Sequence, residues 1–285
     1  MSNALIPGLL FEGNESFPPP PGHLVLVTDH LTAPADFLLH RALALSLKRA
    51  SENPKVQSRV VIVSLANDFS QWAAIASKSN INLRQHLKNG SLAYVDGLSL
   101  SGYNGNTEFL NSEWYTTVDS LFATAAEPSL KGIYDAISTS LRDIQPNDSA
   151  AQSLIILDDI TMLEFLGIPS LTTSRFLRAL RALSHRHSAS LIIRAHASPI
   201  SISAESSPYD SDILQCLLEA SHTHVEVRPL TSGRSGAISG EITVHKGGRY
   251  TGSLTKGLGR KAGVQYRLGE GGATFFQKGM SAGVL

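Results

Sequence analysis

The run Ser153-Leu154-Ile155-Ile156-Leu157 carries no charge and no polar alternation, and it stops on two carboxylates, Asp158 and Asp159. A strand with one face in water alternates apolar and polar side chains, whereas a strand covered on both faces reads as an uninterrupted Val/Ile/Leu stretch. Apolar runs recur at 24–27, 60–65, 92–95 and 191–193, with helical patterns over 34–49, 69–78, 129–143 and 173–185. Strands alternating with helices imply βαβ units, and so a mostly parallel central sheet flanked by helices. In such sheets ligand chemistry gathers at the carboxyl ends of the strands, which is where Asp158 and Asp159 stand.

An acid in that position reads as a Walker B aspartate. The reading makes a demand on the first strand, because a P-loop follows it with G-x-x-x-x-G-K-[ST]: the glycines let backbone N–H groups cradle phosphate and the lysine reaches the terminal phosphates. Here the stretch is Thr28-Asp29-His30-Leu31-Thr32-Ala33-Pro34-Ala35-Asp36, with neither Gly nor Lys. Asp29 and Asp36 repel a triphosphate, and bulky side chains replace the nest. Asp29, Asp158 and Asp159 are therefore expected to mark a degenerate nucleotide site with no cofactor. For Asp158 and Asp159 two readings stand: a magnesium-organising pair, or a strand-end pair capping the next turn as Asp readily does. The missing P-loop favours the second.

From residue 210 the pattern changes to one helix, to 220, and then to strands at 222–228, 241–245, 264–268 and 274–277. These read as an antiparallel extension of the sheet edge. A parallel core with an antiparallel C-terminal flank is the RecA-like arrangement, although periodicity alone also fits another doubly wound fold. Residues 1–22 close on Pro18-Pro19-Pro20-Pro21-Gly22 and are expected to form a flexible, Pro-rich segment. Residues 23–285 are expected to form a single domain, near the upper size for one.

Charged residues make up 17% of the chain, against about 25% in an average protein. Less of the surface can be a solvated charge shell, which points to a subunit with contact surface. The formal net charge is zero, so attraction to nucleic acid has to come from local asymmetry. The single cysteine, Cys216, excludes an internal disulfide and lies in an apolar periodic stretch, as a core residue does. No apolar run reaches the roughly 18 residues of a membrane span. The chain is expected in the cytoplasm, with additional nuclear residence compatible.

Two local asymmetries stand out. At about 100° per residue, Phe176, Leu177, Leu180 and Leu183 share one helix face and Arg175, Arg178, Arg181, His185 and Arg186 the opposite one. No acid lies between Arg175 and Arg186 to neutralise that face by i,i+4 pairing. Residues 242–269 carry Lys246, Arg249, Lys256, Arg260, Lys261 and Arg267 with no Asp or Glu, interleaved with glycines. A flexible basic segment can neutralise phosphates without reading sequence. Arg175, Arg178, Arg181, Lys256, Arg260 and Lys261 are thus candidate phosphate contacts, set against the plainer readings of a solvated helix face and a polar hairpin loop. Gly257 to Gly263 has the wrong spacing for a dinucleotide fingerprint. Of the ten histidines, His222 and His224 share one face of an expected strand, a weak metal-binding pattern. No G-x-S-x-G elbow supports a serine hydrolase.

Several segments in order carry a family resemblance: Leu24-Val25-Leu26-Val27-Thr28-Asp29, Phe37-Leu38-Leu39-His40, and Val60-Val61-Ile62-Val63-Ser64-Leu65 leading into Phe69-Ser70-Gln71-Trp72. Ile81-Asn82-Leu83, Gly90-Ser91-Leu92, Asp96-Gly97-Leu98 and Leu154-Ile155-Ile156-Leu157-Asp158-Asp159-Ile160 continue the series. Over residues 23–198 the sequence resembles the Elongator complex protein 6 family. The resemblance implies a RecA-like fold without a standard P-loop. It also implies a six-membered ring with Elongator complex proteins 4 and 5, two copies of each, that binds tRNA and docks on the catalytic Elongator subunits, which modify wobble uridine (U34). ATP hydrolysis is associated with that ring as a whole. Three readings follow: a non-catalytic ring subunit, an NTPase with a degenerate site using Asp158 or Asp159, and a doubly wound enzyme for another small molecule. The third lacks a convergent acid, base and oxyanion set.

Overall fold

The computed structural model describes residues 19–52, 59–98, 113–118, 129–142, 153–197, 212–230, 238–250, 263–269 and 272–277. The fold is mixed α/β, and most of its strand pairs are parallel. Two compact units divide it, one of residues 18–23 and 39–193, the other of 1–17, 24–38 and 194–285.

In the first of these, β2 (Val60–Ser64) lies between β3 (Leu92–Asp96) and β5 (Ser153–Asp158), β4 (Tyr115–Thr117) extends the β3 side, and β6 (Ala189–His196) pairs with β5 through Ile193, all in parallel. Every residue of β2, β3 and β5 is buried. That is the outcome expected of uninterrupted apolar runs, and each fully buried Leu or Ile contributes on the order of 1.5–3 kcal/mol. The strands end in register, Ser64 beside both Asp96 and Asp158, so polar termini gather along one carboxyl edge. An aromatic cluster closes part of this core: Phe69 meets Tyr94 edge-on at 5.1 Å, and Tyr94 stacks on Tyr115 at 5.4 Å.

The helices of this unit include α2 (Phe69–Ser77), α3 (Leu83–Lys88), α4 (Lys131–Leu141), α5 (Met162–Phe165) and α6 (Ser170–Arg186). Helix α2 starts where the Asp68 carboxylate accepts the Gln71 N–H at 2.7 Å, and α3 where the Asn82 side chain accepts that of Gln85 at 3.2 Å, both as N-caps do. Gly22 (φ +76°) donates its N–H to the Ala189 carbonyl, and a Cβ there would lie 2.5 Å from the His185 ring. Only glycine permits that backbone and that approach.

In the other unit, β1 (Leu24–Asp29) runs parallel to β7 (Thr223–Arg228), and β8 (Gly240–Lys246), β9 (Val264–Gly269) and β10 (Gly272–Gln277) follow in antiparallel order. The expected antiparallel C-terminal flank is present as β7 to β10, each pairing antiparallel with the next, and β7, preceded by helix α7 (Asp212–Ala220), joins it in parallel to β1. Helix α1 (Asp36–Glu52) begins in this unit, where Phe37 packs 4.7 Å from Tyr266 and 6.4 Å from Phe275.

Candidate functional site

Strand β1 is buried along its whole length and delivers Thr28 and Asp29 to its carboxyl end, both fully buried. The chain then turns tightly: the Ala33 N–H donates to the His30 carbonyl at 2.8 Å, and Leu31 stands 81% exposed at the tip. The stretch carries neither the glycines nor the lysine of a P-loop. Instead the turn wraps around the Asp29 carboxylate, whose Oδ2 accepts the Ala35 N–H at 2.7 Å, one residue before α1. Its Oδ1 lies 2.5 Å from His196 Nδ1, and the Arg194 guanidinium lies 3.7 Å from Oδ2 while bonding Asp36. The Ala197 N–H donates to the Asp29 carbonyl at 2.8 Å.

A buried carboxylate is costly unless it is paired and hydrogen-bonded, and here Asp29 is both. Asp29 and Asp36 were expected to act by repelling phosphate. In the structure both acids share the Arg194 guanidinium, and Asp29 is held on the Ala35 N–H. The residues of this turn do not fit a nucleotide triphosphate.

Beside the turn, β7 and β8 carry a second polar group. The Glu226 carboxylate, 3% exposed, accepts the Thr243 hydroxyl at 3.1 Å, lies 3.0 Å from His245 Nε2, and has Arg228 Nε at 3.6 Å. His224 Nε2 is 2.7 Å from the Thr28 hydroxyl, and burial brings its pKa down from 6.5 to about 4. Burial also lowers the pKa of His30, against the raising influence of Glu226 and Asp29. His222 accepts the Leu24 N–H through Nδ1 at 3.1 Å. His222 and His224 are thus hydrogen-bond partners of β1, and no three His, Cys, Asp or Glu residues among those described could hold a metal ion.

Asp158 and Asp159, fully buried, lie in the other unit and are joined by a cis peptide bond. Asp158 Oδ2 accepts Asn67 Nδ2 at 3.0 Å, and its carbonyl accepts the Leu65 N–H. Asp159 Oδ1 accepts the Thr161 N–H at 3.0 Å, and its carbonyl accepts that of Met162 at 3.1 Å, where α5 begins. That is the geometry of an acid capping a turn. Asp96, at the end of β3, is treated the same way: it accepts the Tyr115 hydroxyl at 2.8 Å and the Leu98 N–H at 3.0 Å, and burial, reinforced by Asp96, raises the Tyr115 pKa above its ordinary range.

On α6 the apolar stripe Phe176, Leu177, Leu180 and Leu183 is buried, while Arg175 and Arg178 are exposed. Arg181 is only half-exposed, although it falls on the same arc of the helical wheel. Lys256, Arg260 and Lys261 fall outside the described residues, as does the Gly-rich stretch 257–262. Arg194, His196, Glu226 and Asn67 were missed by sequence reasoning. For the first two a signal existed: Arg194 and His196 continue the apolar run 191–193, and a charge inside a both-faces-buried strand has to find a buried partner.

A family model described as Elongation complex protein 6 matches residues 7–270. Curated relatives include Elongator complex protein 6 of Xenopus tropicalis, 27% identical over 275 residues, and that of Homo sapiens, 22% identical over 289 residues; each alignment covers 93% of both proteins. Among solved structures, the chain is similar to the KaiC-like protein PH0186 of Pyrococcus horikoshii OT3 (TM-score 0.56, 14% identity, 94% of each chain). It is also similar to the uncharacterized protein PH0321 of Pyrococcus horikoshii (TM-score 0.58, 12% identity, 91% of this chain and 93% of that one). At these identities the structural likeness gives the fold alone, which is RecA-like.

Proposed function

The chain belongs to the Elongation complex protein 6 family, and on that premise we propose that it is a non-catalytic, RecA-like subunit of the Elongator complex. In this reading it forms a heterohexameric ring with Elongator complex proteins 4 and 5, acts in the cytoplasm with nuclear residence compatible, and supports wobble uridine modification by presenting tRNA to the catalytic subunits. Arg175 and Arg178, with Lys256, Arg260 and Lys261, are the positions proposed to meet tRNA phosphate.

The observation that carries the non-catalytic part is the buried Asp29 carboxylate on the Ala35 N–H, with Arg194 and His196 around it. It supports a first turn satisfied from within the chain. The rival reading, an NTPase using Asp158 or Asp159, is weakened by the use of both carboxylates on neighbouring turns. Mass measurement after co-expression with the two sister subunits tests the assembly: two copies of each are expected, and a chain recovered alone refutes it. Calorimetry with ATP tests the pocket. No micromolar binding by this chain is expected, and a signal abolished by Asp158→Ala would establish the rival reading.

A further inference from the structure

Two hydrogen-bond donors and one cation converge on one carboxylate at the end of β1: the backbone N–H of Ala35 at 2.7 Å, the imidazole of His196 at 2.5 Å, and the guanidinium of Arg194 at an ion-pair distance of 3.7 Å. Asp29 is 0% exposed and the Arg194 side chain 5%, so water does not compete for them. A backbone N–H at a helix start, together with a buried cation, is the donor set that nucleotide-binding α/β folds turn on phosphate at this same first β-to-α turn. We propose that Asp29 is a tethered oxyanion. Its carboxylate fills, from within the chain, the position that phosphate takes in P-loop folds, and the donors around it form an oxyanion hole that admits inorganic phosphate once the carboxylate is removed. The proposal rests on the reading of the chain as RecA-like and non-catalytic.

The chemistry is conservative. Carboxylate and phosphate are both anions with several acceptor lone pairs, and both form charge-assisted bonds to guanidinium and to N–H groups. What differs is attachment. A ligand held by the chain itself acts at an effective concentration that free phosphate at millimolar levels does not match, so the hole stays closed in the native protein whatever the solute. The second acid, Asp36, bonds the same guanidinium, so with Asp29 in place Arg194 faces two carboxylates and offers no net positive charge to an incoming anion. The fold thereby keeps the anion at the start of α1 and gives up exchange of that anion.

The test is thermal unfolding of the full chain, wild type and Asp29→Gly, in chloride and in inorganic phosphate at matched ionic strength. Phosphate stabilises proteins generally by exclusion, so the wild-type shift sets the baseline. Asp29→Gly should unfold earlier in chloride and recover in phosphate with a saturable excess over wild type of roughly 2–3 °C at ten times the dissociation constant. Adding Arg194→Met to Asp29→Gly should abolish the excess. Asp29→Asn, whose amide still occupies the hole, should gain none.

If Asp29→Gly is not recovered folded, its refolding yield with and without phosphate is the readout, and a rise with phosphate is expected. Destabilisation without phosphate-specific recovery would overturn the tethered-anion proposal and leave the non-catalytic reading standing. Saturable phosphate or ATP binding by the wild-type chain that Asp29→Gly leaves unchanged would overturn the proposal and count against that reading as well.

Discussion

His224 lies on β7 with Nε2 2.7 Å from the Thr28 hydroxyl and its ring 5.4 Å from that of His245. Burial first, and then the neighbouring His245, lower its pKa to about 4, against the opposing pull of Glu226. In the unfolded chain the same imidazole titrates near its ordinary value of 6.5. Above that pH both states are neutral and the group has no effect on stability. Between about 6.5 and 4 the unfolded state binds a proton that the native state refuses, so stability falls as pH falls, by roughly 3 kcal/mol at the lower end. His30 moves in the same direction, so the comparison has to isolate one residue. Replacing His224 by Gln keeps a partner for Thr28 and removes the titration. The stability difference between wild type and His224→Gln should therefore change by about one proton's worth, near 1.4 kcal/mol per pH unit, between pH 6 and 4.5. Denaturation curves at several pH values measure it, and parallel profiles for the two proteins would refute the assignment.

Helix α6 shows what a helical wheel conveys about an element and where it stops. The apolar stripe predicted at Phe176, Leu177, Leu180 and Leu183 is the buried face, and the expected helix 173–185 lies within the observed Ser170–Arg186. The opposite face is graded rather than uniform: Arg175 and Arg178 reach solvent, while Arg181, about 40° around the wheel from the buried Leu177, is partly covered. Helix α3, strand β4 and helix α5 were not legible for a different reason, since each is too short to show a period. The arginines therefore separate by role. Within the assembled ring, Arg175→Ala with Arg178→Ala should weaken binding about equally across tRNAs and make the log–log salt slope shallower by roughly 0.7–0.9 per lost phosphate contact, with little effect on the melting temperature. Arg181→Ala should lower the melting temperature through lost packing of its stem. If the first pair leaves affinity and salt slope intact in a normally assembled ring, those arginines serve the surface or a subunit contact instead.

For the molecule as a whole, the strands that carry the fold were legible because each is an apolar run that only a sheet covered on both faces can use, from Val60–Ser64 to Ser153–Asp158. The candidate site was legible as an absence, no glycine and no lysine after β1. Its content was not, because the partners of Asp29 stand at positions 194 and 196, more than 160 residues away, a distance that only folding closes. Composition adds the consequence for assembly. With charged residues at 17%, little of the surface is a repulsive charge shell, and large apolar side chains stand in solvent: Leu31 (81% exposed) in one unit, Phe165 (62%) and Leu171 (59%) in the other. Scattered apolar groups are ordinary, but apolar tips on a surface poor in charge favour association over solvation. The isolated chain should accordingly self-associate or precipitate near neutral pH, where its net charge is zero, and co-expression with the sister subunits should yield a soluble, monodisperse particle. Light scattering distinguishes the outcomes. A stable monomer unaffected by those partners would mean that the apolar side chains at 31, 165 and 171 are solvated surface, and it would remove the compositional argument for a ring subunit while leaving the fold untouched.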